Sequence, residues 1–241
     1  MTARAKALLL AGGLGTRLRP LTETVPKCLV PVAGRPMLDY WLDALERAGI
    51  GEVLLNTHHL RDQVRDWMDR ANAARGVRVT EAWEPELLGS AGTVTANRSW
   101  ADDADEIVVI YADNLSTVDL GALLAFHRGH AEPMTMLLFR TAYPKQCGIA
   151  TLDAGGLVTT FVEKPEDPES DLANAGLYVL DASAWREIAD MGAFDFGFDV
   201  IPRFVGRMKG MAFDGYHRDI GTHEALAAAE ADAARLFGGG A

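Results

Sequence analysis

The chain of 241 residues is 49% hydrophobic and 24% charged, with 24 Gly and 10 Pro, an ordinary globular composition that excludes disordered, collagen-like and coiled-coil classes. No apolar run reaches the roughly 18 residues of a membrane-spanning helix, and the short first run, Ala7 to Ala11, starts too early for a signal peptide with a cleavage site. A net charge of −11, from 34 acidic and 23 basic residues, argues against bulk nucleic-acid binding and leaves room for a small anionic substrate in a locally positive pocket.

In chain order, Ala7-Leu8-Leu9-Leu10 is a continuous apolar run, as in a strand buried on both faces. A helix is predicted at about Pro36 to Ala48, with Pro at its start and Gly49 at its stop. A strand follows at Val53 to Leu55, a helix at Arg61 to Ala74 and a strand at Val77 to Glu81. A further helix opens near Ser90, and Ile107 to Tyr111 is a second strongly buried strand. Leu120 to His130 reads as helix and Met134 to Arg140 as strand. This alternation predicts an α/β protein with a Rossmann-like, doubly wound, mostly parallel sheet.

The pattern then changes. Ile149 to Leu152 and Leu157 to Val162 flank Asp153-Ala154-Gly155-Gly156, a hairpin signal and the start of a small antiparallel insertion. Ala175 to Leu180 reads as strand, Ala182 to Ala189 and Phe198 to Gly206 as helices, and Thr222 to Leu236 as an amphipathic end helix before a frayed tail at 238–241. One domain over 1–241 is expected, with a first half at 1–140 and a second at 141–241. Cys28 and Cys147 lie far apart with no CxxC, which excludes a disulfide scaffold and a Cys-rich zinc site and fits a reducing cytoplasm.

The segment after the first strand carries the strongest signal. It reads Leu10-Ala11-Gly12-Gly13-Leu14-Gly15-Thr16-Arg17-Leu18-Arg19-Pro20-Leu21-Thr22. Clustered glycines let backbone amides approach a bulky anion. Thr16 offers a hydroxyl, and Arg17 and Arg19 offer permanently charged forks suited to phosphate. Lys27 follows, held between Pro26 and Pro31. A Rossmann fingerprint fails because Leu18 stands where its third Gly belongs, and no Gly-Lys dipeptide exists for a Walker loop. A plain Gly-rich turn does not account for Thr16, Arg17 and Lys27 together. Asp113 follows the buried strand, at the end where open α/β sheets bind ligands. Alone it could equally be a helix N-cap.

These residues resemble the signature of the sugar-1-phosphate nucleotidyltransferases, and the likeness runs over nearly the whole chain. The resemblance implies that an NTP and a sugar 1-phosphate give an NDP-sugar and pyrophosphate with Mg²⁺. It implies that Leu10, Ala11, Gly12, Gly13, Gly15 and Thr16 cradle the nucleotide phosphates. Arg17 and Lys27 would hold the triphosphate and the attacking phosphate together, as two polyanions require. Asp113 and Asp219, the latter in Asp219-Ile220-Gly221-Thr222, match the metal-binding carboxylates. Ala112 replaces the usual Gly before the first. His217 and His223 stand where the family often has Trp and Pro. Leu87 to Thr93 resembles the base-recognition segment, with Gly89, Ser90 and Gly92 at the base and Ser90 as a helix cap. Asn56 and Glu84 would help place base and ribose. On the sugar side, Gly148, Glu163, Lys164, Asn174 and Asp199 match, Asp199 being either structural or an orienting residue.

The base segment is more similar to that of guanylyltransferases of mannose-1-phosphate type than to the Gly-Leu-Ala-Gln form of thymidylyltransferases, and this resemblance implies GTP with a mannose- or heptose-type 1-phosphate, with uridylyl or thymidylyl transfer and a non-catalytic regulatory homologue as alternatives. No nucleic-acid or membrane partner is expected, and a homo-oligomer is left open. His127 and His130, three apart on a predicted helix, read as a solvated face rather than a metal site. Cys28 reads as packing, although Lys27 beside it could stabilise a thiolate.

Overall fold

The computed structural model describes residues 3–237, so the expected fraying of 238–241 lies outside the described residues. The elements are β1 (Ala5–Leu10), β2 (Pro31–Val32), β3 (Arg35–Pro36), α1 (Met37–Arg47), β4 (Glu52–Thr57), α2 (Arg61–Ala74), β5 (Arg78–Trp83) and α3 (Gly89–Ala96). Next come β6 (Glu106–Tyr111), β7 (Asn114–Ser116), α4 (Leu120–Arg128), β8 (Met134–Arg140), β9 (Gly148–Leu152), β10 (Val158–Glu163) and β11 (Leu172–Asp181). The chain ends with α5 (Ala182–Asp190), α6 (Ile201–Phe204), β12 (Met208–Phe213), β13 (His217–Asp219) and α7 (His223–Phe237).

Among the described residues the main sheet has nine strands in the order β10-β9-β11-β6-β1-β4-β5, with β8 beside β11 and β12 beside β8. This is the α/β architecture that the alternation predicts. The pairs β4–β5 and β8–β12 are parallel, and β11 runs antiparallel to β6, β8 and β9. β1 and β6 are buried on both faces, which is why they read as unbroken apolar runs. α1 buries Leu38, Trp41, Leu42 and Leu45 at helical spacing, with Asp39 in its first turn and Arg47 in its last.

The β9–β10 hairpin forms as expected. Asp153 Oδ1 accepts the N–H groups of Gly155 and Leu157, both at 2.8 Å, and so closes the turn. The helix expected from Phe198 to Gly206 is instead a π-helical turn, Phe196–Val200, followed by the four residues of α6. Pro202 at the start of α6 cannot donate to a preceding turn, so one regular helix cannot run through.

Two compact units interleave along the chain. One contains Leu88–Ile110 and Gly121–Asp214, the other Leu9–Leu87, Tyr111–Leu120 and the segment from Gly215. Neither coincides with the halves 1–140 and 141–241, because β8 pairs with β11 and β12 and so draws 121–140 to the later segment. The unit with Leu9–Leu87 is termed the loop unit here and the other the hairpin unit. No helix among the described residues is long and apolar enough to cross a membrane.

Candidate active site

The loop unit gathers twelve of the residues expected from sequence, from Leu10 to Asp219. Leu10 ends β1, and its carbonyl accepts the N–H of Ala112 at 3.0 Å, which ties the Gly-rich loop to the segment carrying Asp113. Asn56 Oδ1 accepts from the amides of Ala11 (2.5 Å) and Gly12 (3.0 Å), and its Nδ2 donates to the buried Glu84. Asn56 and Glu84 therefore have a task in holding the loop itself. No hydrogen bond within the described residues takes the amides of Gly13, Leu14, Gly15 or Thr16, and this stretch is largely exposed. Gly15 sits at φ +63°, and a Cβ there would meet Thr22 Cγ2 at 2.8 Å and Lys27 Cβ at 3.1 Å. Thr22 also donates its hydroxyl to the Gly15 carbonyl at 2.7 Å. Glycine is thus what lets the loop close down on Lys27.

Lys27 is only 8% exposed. Its ammonium donates to Asp113 Oδ2 and lies 3.6 Å from Asp219 Oδ1. Arg17 Nη2 reaches Asp219 Oδ2 at 3.4 Å. The two carboxylates come together because β13 pairs antiparallel with β7, Asp219 opposite Asn114, and because the Ile220 N–H binds the Asp113 carbonyl at 3.0 Å. Asp219 Oδ1 also accepts the Gly221 N–H at 2.7 Å. Two hard oxygen groups that share one ammonium can also share a divalent cation. No group of three or more His, Cys, Asp or Glu side chains suited to a metal occurs among the described residues.

The hairpin unit holds Gly89, Ser90, Gly92, Gly148, Glu163, Lys164, Asn174 and Asp199. The Glu163 carboxylate lies directly over Gly148, where a Cβ would collide with it and with the Phe161 ring. Burial lifts its carboxyl above the ordinary range; Lys164 opposes this and Asp195 adds to it. Lys164 has φ +49° and lines an open cavity of about 470 Å³ with Lys145, Pro165, Glu166 and Asp167. Asn174 Oδ1 accepts the Gly176 N–H at 2.9 Å, and its Nδ2 donates to the Tyr178 hydroxyl at 2.7 Å. Asp199 Oδ2 accepts from the amides of Phe194 and Asp195, each at 2.9 Å, and these bonds hold its carboxyl below the ordinary range.

Ser90 does not cap α3. The cap position is Leu88, which has no side-chain cap bond. The Ser90 hydroxyl instead donates to Asp195 Oδ2 at 3.2 Å and accepts the Phe196 N–H at 2.9 Å. Asp195 was not legible in the sequence as a site residue. Its one signal is the Asp three places before Phe198, whose N–H it caps at 3.1 Å.

His127 and His130 do not form a solvated face. His127 is buried, and both rings meet the buried Thr135 hydroxyl, at 2.9 and 2.8 Å. Cys28 is packing, as expected: burial pushes its thiol up to about 12. His223 binds the Arg19 carbonyl at 2.9 Å, and the half-buried His217 is driven down to about 4 by desolvation.

The family model described as nucleotidyl transferase matches residues 6–235. A mannose-1-phosphate guanylyltransferase of Mycobacterium tuberculosis is 34% identical over 238 residues, covering 97% of this chain and 66% of that protein. The catalytic subunit beta of a mannose-1-phosphate guanylyltransferase of Xenopus tropicalis is 30% identical over 220 residues, covering 90% of this chain and 61% of that protein. The chain thus spans 61% to 66% of the length of these curated relatives. A solved chain from Bacillus anthracis, named as a glucose-1-phosphate thymidylyltransferase and bound to sucrose, matches with a TM-score of 0.84, 26% identity and 95% coverage of both chains.

Proposed function

The chain belongs to the nucleotidyl transferase family, and from that premise we propose that it is a sugar-1-phosphate nucleotidyltransferase. An oxygen of the sugar 1-phosphate attacks the α-phosphorus of an NTP. The bond from that phosphorus to the bridging oxygen breaks, and pyrophosphate leaves with the electron pair. The observation that carries this reading is the meeting of Lys27 with Asp113 and Asp219 in the unit that also holds the four unengaged loop amides.

The chemistry asks for positioning and charge, and no side-chain nucleophile is needed. The amides of Gly13 to Thr16 bind phosphate oxygens. Lys27, nearly buried, offsets the charge where the two polyanions meet, and the exposed Arg17 reaches outward to the triphosphate. The two carboxylates fit Mg²⁺, which keeps several waters and takes one or two carboxylates plus phosphate oxygens. Asp113 and Asp219 would hold it, and when bound it would neutralise phosphate charge. All four of Arg17, Lys27, Asp113 and Asp219 are present, which argues against a regulatory homologue without turnover. On the sugar side, Glu163 accepts hydroxyl hydrogens and Lys164 meets the sugar phosphate.

GTP with a mannose- or heptose-type 1-phosphate is the favoured pair, supported by the guanylyltransferase relatives. We place the enzyme in the cytoplasm, where its two thiols, in no disulfide, are at home. The test is pyrophosphate release with Mg²⁺ over a grid of NTPs and sugar 1-phosphates. Release from GTP with mannose 1-phosphate or a heptose 1-phosphate is expected. Release only with UTP or dTTP would overturn the base assignment, and silence across the grid would overturn the activity.

A further inference from the structure

Ser90 lies in the segment that the family reading gives to the nucleobase, yet its hydroxyl is spent elsewhere. It donates to Asp195 and accepts from the Phe196 amide. The neighbouring Ala91 N–H binds the Phe194 carbonyl at 3.0 Å. Gly89, at φ +78°, leaves no room for a Cβ between itself and the Phe194 carbonyl and ring. Three successive residues, Phe194 to Phe196, are thus pressed onto the first turn of α3.

The far side of the same loop meets the sugar-side residues. A Cβ on Gly197 would lie 3.3 Å from Glu163 Oε2. The Phe196 ring stacks on Tyr178, with centroids 5.1 Å apart and planes 16° from parallel. Tyr178 in turn receives the hydrogen bond from Asn174. Asp199 fixes the loop from within through the amides of Phe194 and Asp195. Every link lies in the hairpin unit.

We propose that Ser90 and Asp195 are positioning residues for the sugar phosphate, acting as a latch that fastens the loop 193–199 and so aligns Glu163 and Asn174. This rests on the proposed transferase reading. Ser90 sits in a base-recognition sequence, but its effect is on the second substrate. A direct contact of Ser90 with the base would make the opposite prediction.

The experiment compares the full chain with Ser90→Ala, Ser90→Thr and Asp195→Asn, using the nucleotide and sugar pair that the wild type turns over, GTP and mannose 1-phosphate first. One lost hydrogen bond of ordinary strength corresponds to roughly a three- to tenfold effect. Ser90→Ala is therefore expected to raise KM for the sugar phosphate by about that factor, with KM for the NTP within about twofold of wild type. Ser90→Thr keeps the hydroxyl and should restore it, and Asp195→Asn should resemble Ser90→Ala. Hydrogen exchange on the same proteins without substrate should show faster exchange of the Ala91 and Phe196 amides in Ser90→Ala. A rise in the NTP KM instead, or no change in either KM, overturns the proposal. If the wild type turns over no pair, the transferase reading falls, and the latch is decided by exchange alone: unchanged amides would overturn it.

Discussion

Gly15 has a left-handed backbone and no space for a Cβ, with Thr22 and Lys27 closing on it. Gly15→Ala is expected to cost about 1–3 kcal/mol of stability. Because the atoms in the way include the Cβ of Lys27, turnover should fall as well. Denaturant midpoints and initial rates check both, and a variant unchanged in either would remove Gly15 from this account. Cys28 is the second case at this scale. A thiol pushed up to about 12 by burial carries almost no thiolate at neutral pH. Native protein should therefore modify at Cys147 and not at Cys28 with a thiol-specific reagent, as peptide mapping would show. Modification of native Cys28 as fast as Cys147 would contradict the burial.

The contact between α4 and β8 sets a pH dependence. His127 and His130 share the Thr135 hydroxyl, and desolvation lowers the pKa of each; their mutual repulsion adds to this for His127. His217, driven down to about 4, has the same sign. The unfolded chain takes up these protons near the ordinary value of about 6.5, while the folded chain does not. The stability that these histidines contribute is therefore fully present above that value and is lost as the pH falls below it. Melting temperature should drop from pH 7.5 to 5.5, and His127→Gln should lessen the drop. A wild type that melts higher at 5.5 would show that the histidines are not held neutral by the fold. The spacing of His127 and His130 could not reveal this. The partner that buries them, Thr135, lies on the following strand, beyond a helix that ends at Arg128 rather than at His130.

At the scale of the whole molecule, what was legible depended on how local the cause was. α2 and β8 occupy the residues expected, Arg61–Ala74 and Met134–Arg140, because period and flanking residues decide them. β12 is not legible in the sequence because Gly210 interrupts a segment whose strand character comes from its parallel register with β8. β13 is three polar residues, made a strand only by β7. The Gly-rich loop, Lys27 and both aspartates were legible from motif. Their meeting on one ammonium was not, since it depends on the β7–β13 pairing. The same limit hid Asp195, whose partner Ser90 lies 105 residues earlier.

Although the chain spans only 61% to 66% of its curated relatives' length, the loop unit holds Lys27, Asp113 and Asp219 together. The most direct measurement of the account is pyrophosphate release by this chain and its Lys27→Ala variant, side by side, with Mg²⁺ and the best substrate pair. Losing a charge-stabilising donor at such a site costs about 10²–10³ in turnover. The wild type should release pyrophosphate and Lys27→Ala should fall by that factor while keeping its fold by circular dichroism. A folded Lys27→Ala that turns over like the wild type would contradict the claim that nucleotidyl transfer takes place at this lysine.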